Sequence, residues 1–297
     1  MKLDMAMLRI DAEGVSAEIE KFIREKARDF SKGGVVVPVS GGLDSSVVAG
    51  LCVRAVGKDK VVGLMLPEKE GNPDAKKYAL LLCRKLGIRH EEIDISNVLK
   101  AFGNYDFVLS KIPSRLLKKV AVGGFLGLYN PLKDGLKGKG GAFVRKGMSY
   151  LYLKNRVRFV FACKYAEENN LLLAGSAHKS EDMVGLFVKF GVDDLADIMP
   201  LKNLFRSQVL QVGEHIGIPQ EILSRKPNPD IIPGVENKYW LFLRLAPEKV
   251  DLVLLGLEKG MKKEQIARDA GLPLKKVEEI EELTKISFHM RNPNLAP

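Results

Sequence analysis

The run Val35-Val36-Val37-Pro38-Val39, followed at once by Ser40-Gly41-Gly42-Leu43-Asp44-Ser45-Ser46, constrains this chain more than any other stretch. A short, continuous β-branched run has no polar face. It is the pattern of a strand buried on both sides of a parallel sheet, with Pro38 near its end. Residues 45–56 then read as a helix. In such a strand–turn–helix unit the glycines let the backbone approach an anion, and the next helix offers unpaired N–H groups and the positive end of its dipole. The hydroxyls of Ser40, Ser45 and Ser46 are further donors, so the string predicts a phosphate loop. Asp44 repels phosphate unless a divalent cation lies between them, which makes it a candidate Mg²⁺ ligand. The alternative at this point is that Asp44 only caps the helix. The loop lacks the lysine of the G-x-x-x-x-G-K-[ST] form.

Apolar residues at helical spacing over residues 12–30 stop at Ser31-Lys32-Gly33-Gly34. Downstream, predicted strands at 61–66, 91–95 and 171–174 alternate with predicted helices at 74–86, 150–169 and 179–190. This alternation predicts an α/β fold: a doubly wound parallel sheet with helices on both faces and ligands at the carboxyl ends of its strands. Beyond Pro200 the pattern becomes helical, at 205–216, 219–223, 247–260, 263–271 and 274–289. Residues 201–297 are expected to form a helical C-terminal extension of a single domain spanning 1–297.

Composition narrows the function classes. The net charge of +10 suits a polyanionic substrate or nucleic acid, and it is concentrated: residues 103–150 hold nine Lys or Arg against two acids. That basic, Gly-rich segment reads as an insertion or mobile loop, with a lid over a polyanion, a solvated charged surface and an RNA-contacting arm all open. Cys52, Cys83 and Cys163 form no C-x-x-C, and four His are too few for a zinc site, so buried thiols in a reducing compartment are expected. No window approaches about 18 consecutive apolar residues and the N-terminus lacks a signal-peptide pattern, which predicts a cytoplasmic protein without a membrane span.

The phosphate loop resembles that of N-type ATP pyrophosphatases, a group including GMP, argininosuccinate and NAD synthetases and tRNA-thiolating enzymes. A second constellation separates them. Gly175-Ser176-Ala177-His178-Lys179-Ser180-Glu181-Asp182 follows a predicted strand, opens a helix and resembles the G-[ST]-x-[NH]-K-[ST]-E turn of NAD synthetases. Taken alone it is also a charged first helical turn, with acids favoured by the dipole. Further matches follow in the family's order: Asn155-Arg156-Val157-Arg158-Phe159, Phe187-Val188-Lys189-Phe190-Gly191, Asp197-Ile198-Met199-Pro200-Leu201, Leu204-Phe205-Arg206-Ser207, Lys226-Pro227, and Ser287-Phe288-His289-Met290-Arg291 before Pro293 and Pro297. Together they span roughly residues 15–102 and 148–297.

The resemblance implies an adenine-nucleotide alpha-hydrolase-like fold and an ammonia-dependent NAD synthetase. In that activity the nicotinate carboxylate of deamido-NAD⁺ attacks the α-phosphorus of Mg-ATP, and ammonia then displaces AMP. It implies ATP binding by Ser40, Gly41, Gly42, Asp44, Ser45, Ser46, Lys179, Arg206 and Ser207, with Asp44 and Glu181 as Mg²⁺ ligands. Asp44, Lys179, Glu181 and Arg206 are the implied catalytic set, and Arg156, Arg158, Lys189, Asp197 and His289 the implied substrate contacts. A homodimer with deamido-NAD⁺ at the subunit interface is implied as well. No cysteine sits in a nucleophile context and the first α/β unit begins within about 15 residues. Free ammonia, and not an N-terminal glutaminase domain of this chain, is therefore the expected donor.

Departures from the family pattern gather on the dinucleotide side. Leu151-Tyr152 replaces G-N, Arg206 a lysine and Met290 the lysine of the tail; Asn228-Pro229 follows Lys226-Pro227 where a Ser or Thr is usual, and Asp193-Asp194 adds a residue. One alternative is another ATP pyrophosphatase that adenylates a different acceptor, as tRNA-modifying or sulfur-transferring enzymes do. The basic segment favours it, and the lack of paired cysteines opposes it. The other is a nucleotide-binding regulator without turnover, against which Asp44, Lys179 and Glu181 together argue.

Overall fold

The computed structural model describes residues 2–112, 114, 117, 131–139, 141–192, 194–228 and 237–291. Strands β1 (Gly34–Pro38), β2 (Val61–Met65), β3 (Arg89–Glu92) and β4 (Leu171–Leu173) pair in the order β3-β2-β1-β4, all parallel. The principal helices are α1 (Ala12–Asp29), α2 (Leu43–Val56), α3 (Pro73–Leu86), α4 (Ser96–Ala101), α5 (Ala142–Glu168), α6 (Lys179–Val184), α7 (Arg206–His215), α8 (Lys238–Leu243), α9 (Pro247–Glu258), α10 (Lys263–Ala270) and α11 (Leu274–Ile286).

The two-residue period of a strand explains the layering. Val35, Val37 and Val39 enter a core shared with α1, α2 and α3, whereas Val36, Val62, Leu64 and Leu173 enter another beneath α4 and α5. β1 is thus covered on both faces, as its β-branched run requires. A further core is built by α9, α10 and α11, where Val250, Leu254, Ile266, Val277 and Leu283 pack with Leu3 and Leu8 from the N-terminus. α7 joins the sheet side of this helical extension through Val209 and Val212, which reach the core around α2.

Three sequence expectations shift. The strand expected at 91–95 is β3 at Arg89–Glu92, because its register is set by pairing with Val62–Met65. Its four exposed residues, Arg89, His90, Glu91 and Glu92, make a charged edge that resists further strand pairing, while Ile95 turns into the core below α5. The helix expected to run over 179–190 ends at Val184. Gly185 takes a left-handed conformation there (φ +75°), and a Cβ on it would stand 2.7 Å from Ser287 Cβ.

The basic segment is helical in much of what is described, not a loop throughout. α5 begins at Ala142, and short helices occupy Val108–Lys111 and Pro131–Leu136. Phe107 stacks near Phe143 and Tyr150, with ring centres 5.6 and 5.1 Å apart, giving the early turns of α5 an apolar cover. Lys133 and Lys137 both reach Glu282 on α11. Arg115, Lys118, Lys119, Gly123, Gly124, Gly127, Asp193, residues 229–233, Pro293 and Pro297 lie outside the described residues.

Candidate functional site

A cavity of about 410 Å³ opens at the carboxyl end of the sheet, between the turn after β1, the loop after β2 and the turn after β4. Gly41 makes the first turn possible. Its φ is +70°, and a Cβ would lie 2.6 Å from the Ala75 carbonyl oxygen and 2.8 Å from the Ala79 nitrogen, so only glycine lets the loop rest on α3. The Gly41 carbonyl accepts a hydrogen bond from Arg225, whose guanidinium stacks 4.1 Å above the Tyr78 ring. Ser40, Gly42, Asp44 and Ser45 line the cavity. The Ser40 and Ser45 hydroxyls are 3.2 Å apart.

Ser46, expected on ATP, is turned away: it is fully buried and its hydroxyl donates to the Gly42 carbonyl at 2.7 Å, holding the first helical turn.

The starts of α6 and α7 bring the second set. Glu181 and Arg206 line the same cavity as Asp44. Arg206 Nη1 donates to Asp44 Oδ1 at 3.2 Å, and Lys238 Nζ lies 2.5 Å from Glu181 Oε1. Burial by itself raises the Glu181 pKa, but Lys238 and His178 hold the carboxyl well below the usual carboxylate range. His178 stands between the acids, with Nε2 3.1 Å from Glu181 Oε1 and 3.9 Å from Asp44 Oδ1. Burial depresses its pKa, yet the two carboxylates outweigh that and keep it above the ordinary histidine value.

The side chains of Asp44, His178 and Glu181 offer ligand atoms all within 4.8 Å of one another, and Nδ1 of the buried His178 has no hydrogen-bond partner. The donor set therefore fits a divalent cation.

Two other expected ATP contacts lie outside the cavity wall. Lys179 does not line the cavity: its ammonium pairs with Glu258 on α9 and sits 4.7 Å from the centre of the Phe205 ring. Lys238, Arg225 and Lys226 supply positive charge to the cavity instead. Ser207 also lies outside it, its N–H donating to Asp251 Oδ2 at 2.8 Å. Asp251 accepts the Ser180 hydroxyl at 2.5 Å as well, so one fully buried carboxylate ties α6 to the start of α7. Burial raises its pKa above the ordinary aspartate value despite these hydrogen bonds. An acid inside the apolar run Val250-Asp251-Leu252-Val253 is the signal by which the sequence could have disclosed it.

Of the five expected substrate contacts only Arg158 lines the cavity, donating to the Leu66 carbonyl and to Asn155. Arg156, Lys189 and His289 are brought together elsewhere on the surface: Arg156 Nε donates to the Lys189 carbonyl at 3.3 Å and Lys189 Nζ to the His289 carbonyl at 2.9 Å. Asp197 accepts the Leu173 N–H at 2.8 Å and so secures the end of β4.

Under the wall of the cavity lies a polar cluster that the sequence did not disclose. Lys154, wholly buried, is 2.9 Å from Glu68 and 3.0 Å from Glu70, with Tyr105 and Tyr150 donating to the same two acids.

The NAD synthase family model matches residues 15–119 and 138–294, so the unmatched stretch, 120–137, is narrower than the basic segment. The NH(3)-dependent NAD(+) synthetase of Methanocaldococcus jannaschii is 36% identical over 279 residues, covering 94% of each chain. That of Thermotoga neapolitana is 34% identical, covering 80% of this chain and 82% of the other. Among solved structures, the NMN synthetase from Francisella tularensis superposes with a TM-score of 0.72 at 22% identity over 97% of this chain and 99% of that one. The NH3-dependent NAD synthetase from Campylobacter jejuni gives 0.67 at 21% identity, covering 97% and 99%. At these identities the structural likeness speaks to the fold, which is the α/β architecture expected from the sequence.

Proposed function

Since this chain belongs to the NAD synthase family, we propose that it converts deamido-NAD⁺ to NAD⁺ with ATP and ammonia, through an adenylated intermediate that releases pyrophosphate and then AMP. The observation that carries this reading is the meeting, in one cavity, of the phosphate loop after β1 with Glu181 from α6 and the cations Arg206 and Lys238 that open α7 and α8. A nucleotide-binding regulator has no need of that pairing, and membership of this family displaces the tRNA-modifying alternative.

In the first step the nicotinate carboxylate oxygen bonds to the α-phosphorus and the α–β bridging bond breaks. In the second, ammonia attacks the acyl carbon, loses a proton, and AMP departs. The chain supplies positioning and charge, with no protein nucleophile. Backbone N–H groups at the start of α2, with Ser40 and Ser45, hold the leaving pyrophosphate. Arg206, as expected, and Lys238 spread the charge that develops on the phosphates. Asp44 and Glu181 would hold Mg²⁺, which supplies Lewis-acid charge to the phosphate oxygens.

The dinucleotide is assigned to the separate surface of Arg156, Lys189 and His289, completed by a second copy of the chain. No helix among the described residues is long and apolar enough to cross a membrane, and the cytoplasm is the proposed place of work.

Purified protein given Mg-ATP, deamido-NAD⁺ and ammonium should form NAD⁺, AMP and pyrophosphate in equal amounts, with glutamine a poor substitute for ammonium. Asp44→Asn should abolish pyrophosphate release while the fold persists. Pyrophosphate without NAD⁺ would point to a different acceptor.

A further inference from the structure

Asp44 and Glu181 come from different turns, one after β1 and one after β4, and the residue that fills the space between them is His178. Its Nε2 lies 3.1 Å from Glu181 Oε1 and 3.9 Å from Asp44 Oδ1. With ligand bonds of about 2.1 Å, neighbouring ligands of one ion stand about 3 Å apart and opposite ones about 4.2 Å. Both separations fall in that range. His178 is completely buried and its Nδ1 has no hydrogen-bond partner, so Nε2, which faces the two carboxylates, is the ring atom aimed into the site. An imidazole nitrogen held between two carboxylates, with all three ligand atoms within 4.8 Å of one another, stands where a third ligand of a shared cation would stand.

We infer that His178 is a third protein ligand of the cation held by Asp44 and Glu181, and that it biases this site toward Mn²⁺, Co²⁺ and similar ions over Mg²⁺. The inference rests on the assignment of the two acids as ligands. Mg²⁺ is a hard ion that takes oxygen donors and keeps much of its water, whereas the later divalent ions gain from an imidazole. A site with two carboxylates alone leaves Mg²⁺ competitive; the nitrogen donor shifts the order. Arg206 and Lys238 lie on the same carboxylate oxygens, Asp44 Oδ1 and Glu181 Oε1. Entry of a cation therefore turns both positive side chains toward the phosphates, and ion and nucleotide bind together.

The test is direct titration of the full chain with MnCl₂ and MgCl₂ in the presence of α,β-methylene-ATP, which cannot be cleaved at the reacting bond. Free Mn²⁺ is followed by its paramagnetic resonance signal and Mg²⁺ by calorimetry. His178→Asn, which keeps a polar group of similar reach, should lower Mn²⁺ affinity by about tenfold or more and change Mg²⁺ affinity by less than about threefold. Equal losses for both ions, or none for either, would overturn the inference.

A second readout is the visible absorption of bound Co²⁺. A nitrogen-ligand spectrum in the unaltered chain that reverts to an oxygen-only one in His178→Asn supports it, and an oxygen-only spectrum from the start sinks it even where the variant fails to fold. Asp44→Asn separates the two levels. If that change leaves all cation binding intact, the shared assignment of the acids falls; if it abolishes binding while His178→Asn does nothing, only the role of His178 falls.

Discussion

A single methyl group at position 41 meets the Ala75 carbonyl and the Ala79 nitrogen inside 3 Å, in a backbone conformation that L side chains avoid. The left-handed conformation alone costs about 1–2 kcal/mol, and the collision with α3 adds to it. Gly41→Ala should therefore lower unfolding free energy by about 2–4 kcal/mol in urea titrations, and raise the KM for ATP because the phosphate turn moves. Asp251 acts without touching the cavity. Asp251→Ala leaves the Ser180 hydroxyl and the Ser207 N–H buried without their acceptor, at about 1–3 kcal/mol each, and should depress kcat by loosening Arg206, whose backbone N–H donates to the Ser180 hydroxyl at 2.9 Å.

The conservative Asp251→Asn has a distinct signature in pH. Burial raises the folded pKa of Asp251 above its ordinary value, so the folded state holds the proton more tightly. The stability this contributes is complete below the unfolded value and is lost as pH rises through the folded one. The destabilisation measured for Asp251→Asn should thus be largest in acid and shrink toward neutrality, and a difference that grows with pH would refute the assignment. Local chemistry explains what could be read at this scale. The function of Gly41 and Asp44 lies within seven consecutive residues, whereas the direction of Lys179 depends on Glu258, 79 residues later.

Among the elements, α5 bears on the active cavity through a charge that water never reaches. Lys154 bridges Glu68 and Glu70 on the loop after β2, and Glu68 and Lys69 are part of the cavity wall. Removing one partner of a buried ion cluster strands the other charges and typically costs about 3–5 kcal/mol. Lys154→Met should destabilise by that order in thermal or urea unfolding. Glu70→Gln in the same chain should recover part of the loss, a coupling that a purely volumetric effect would not show. ATP affinity should fall with it. This cluster was not legible from the residues around Lys154, because its partners lie more than eighty residues earlier, on another element. β1, by contrast, was legible from its uninterrupted valines. β3 slipped by two residues because the apolar Ile93 and Ile95 that suggested a strand belong to the turn beneath α5, and an edge strand takes its register from its neighbour.

At the scale of the whole molecule, the surface carrying Arg156, Lys189 and His289 lies apart from the cavity, so a deamido-NAD⁺ bound there needs a way to present its nicotinate carboxylate to ATP. A second copy of the chain across that surface is the proposed solution, and the side chains nearby suit it. Val160, one helical turn beyond Arg156 on α5, is 64% exposed, and Phe190 and Phe288, beside Lys189 and His289, are 42% and 57% exposed. Apolar groups this open, interleaved with cations, are what a contact that also holds a dinucleotide requires. Val160→Glu places an unpaired charge at the proposed contact and should turn a dimer into a monomer in sedimentation equilibrium. It should raise the KM for deamido-NAD⁺ by at least about tenfold, the scale of one lost buried contact, with binding of α,β-methylene-ATP unchanged. The divergence of the two substrates is the decisive readout. A monomer that still makes NAD⁺ with unaltered KM would detach the acceptor site from any subunit contact and return the dinucleotide to the cavity itself, beside Arg158 and Lys226.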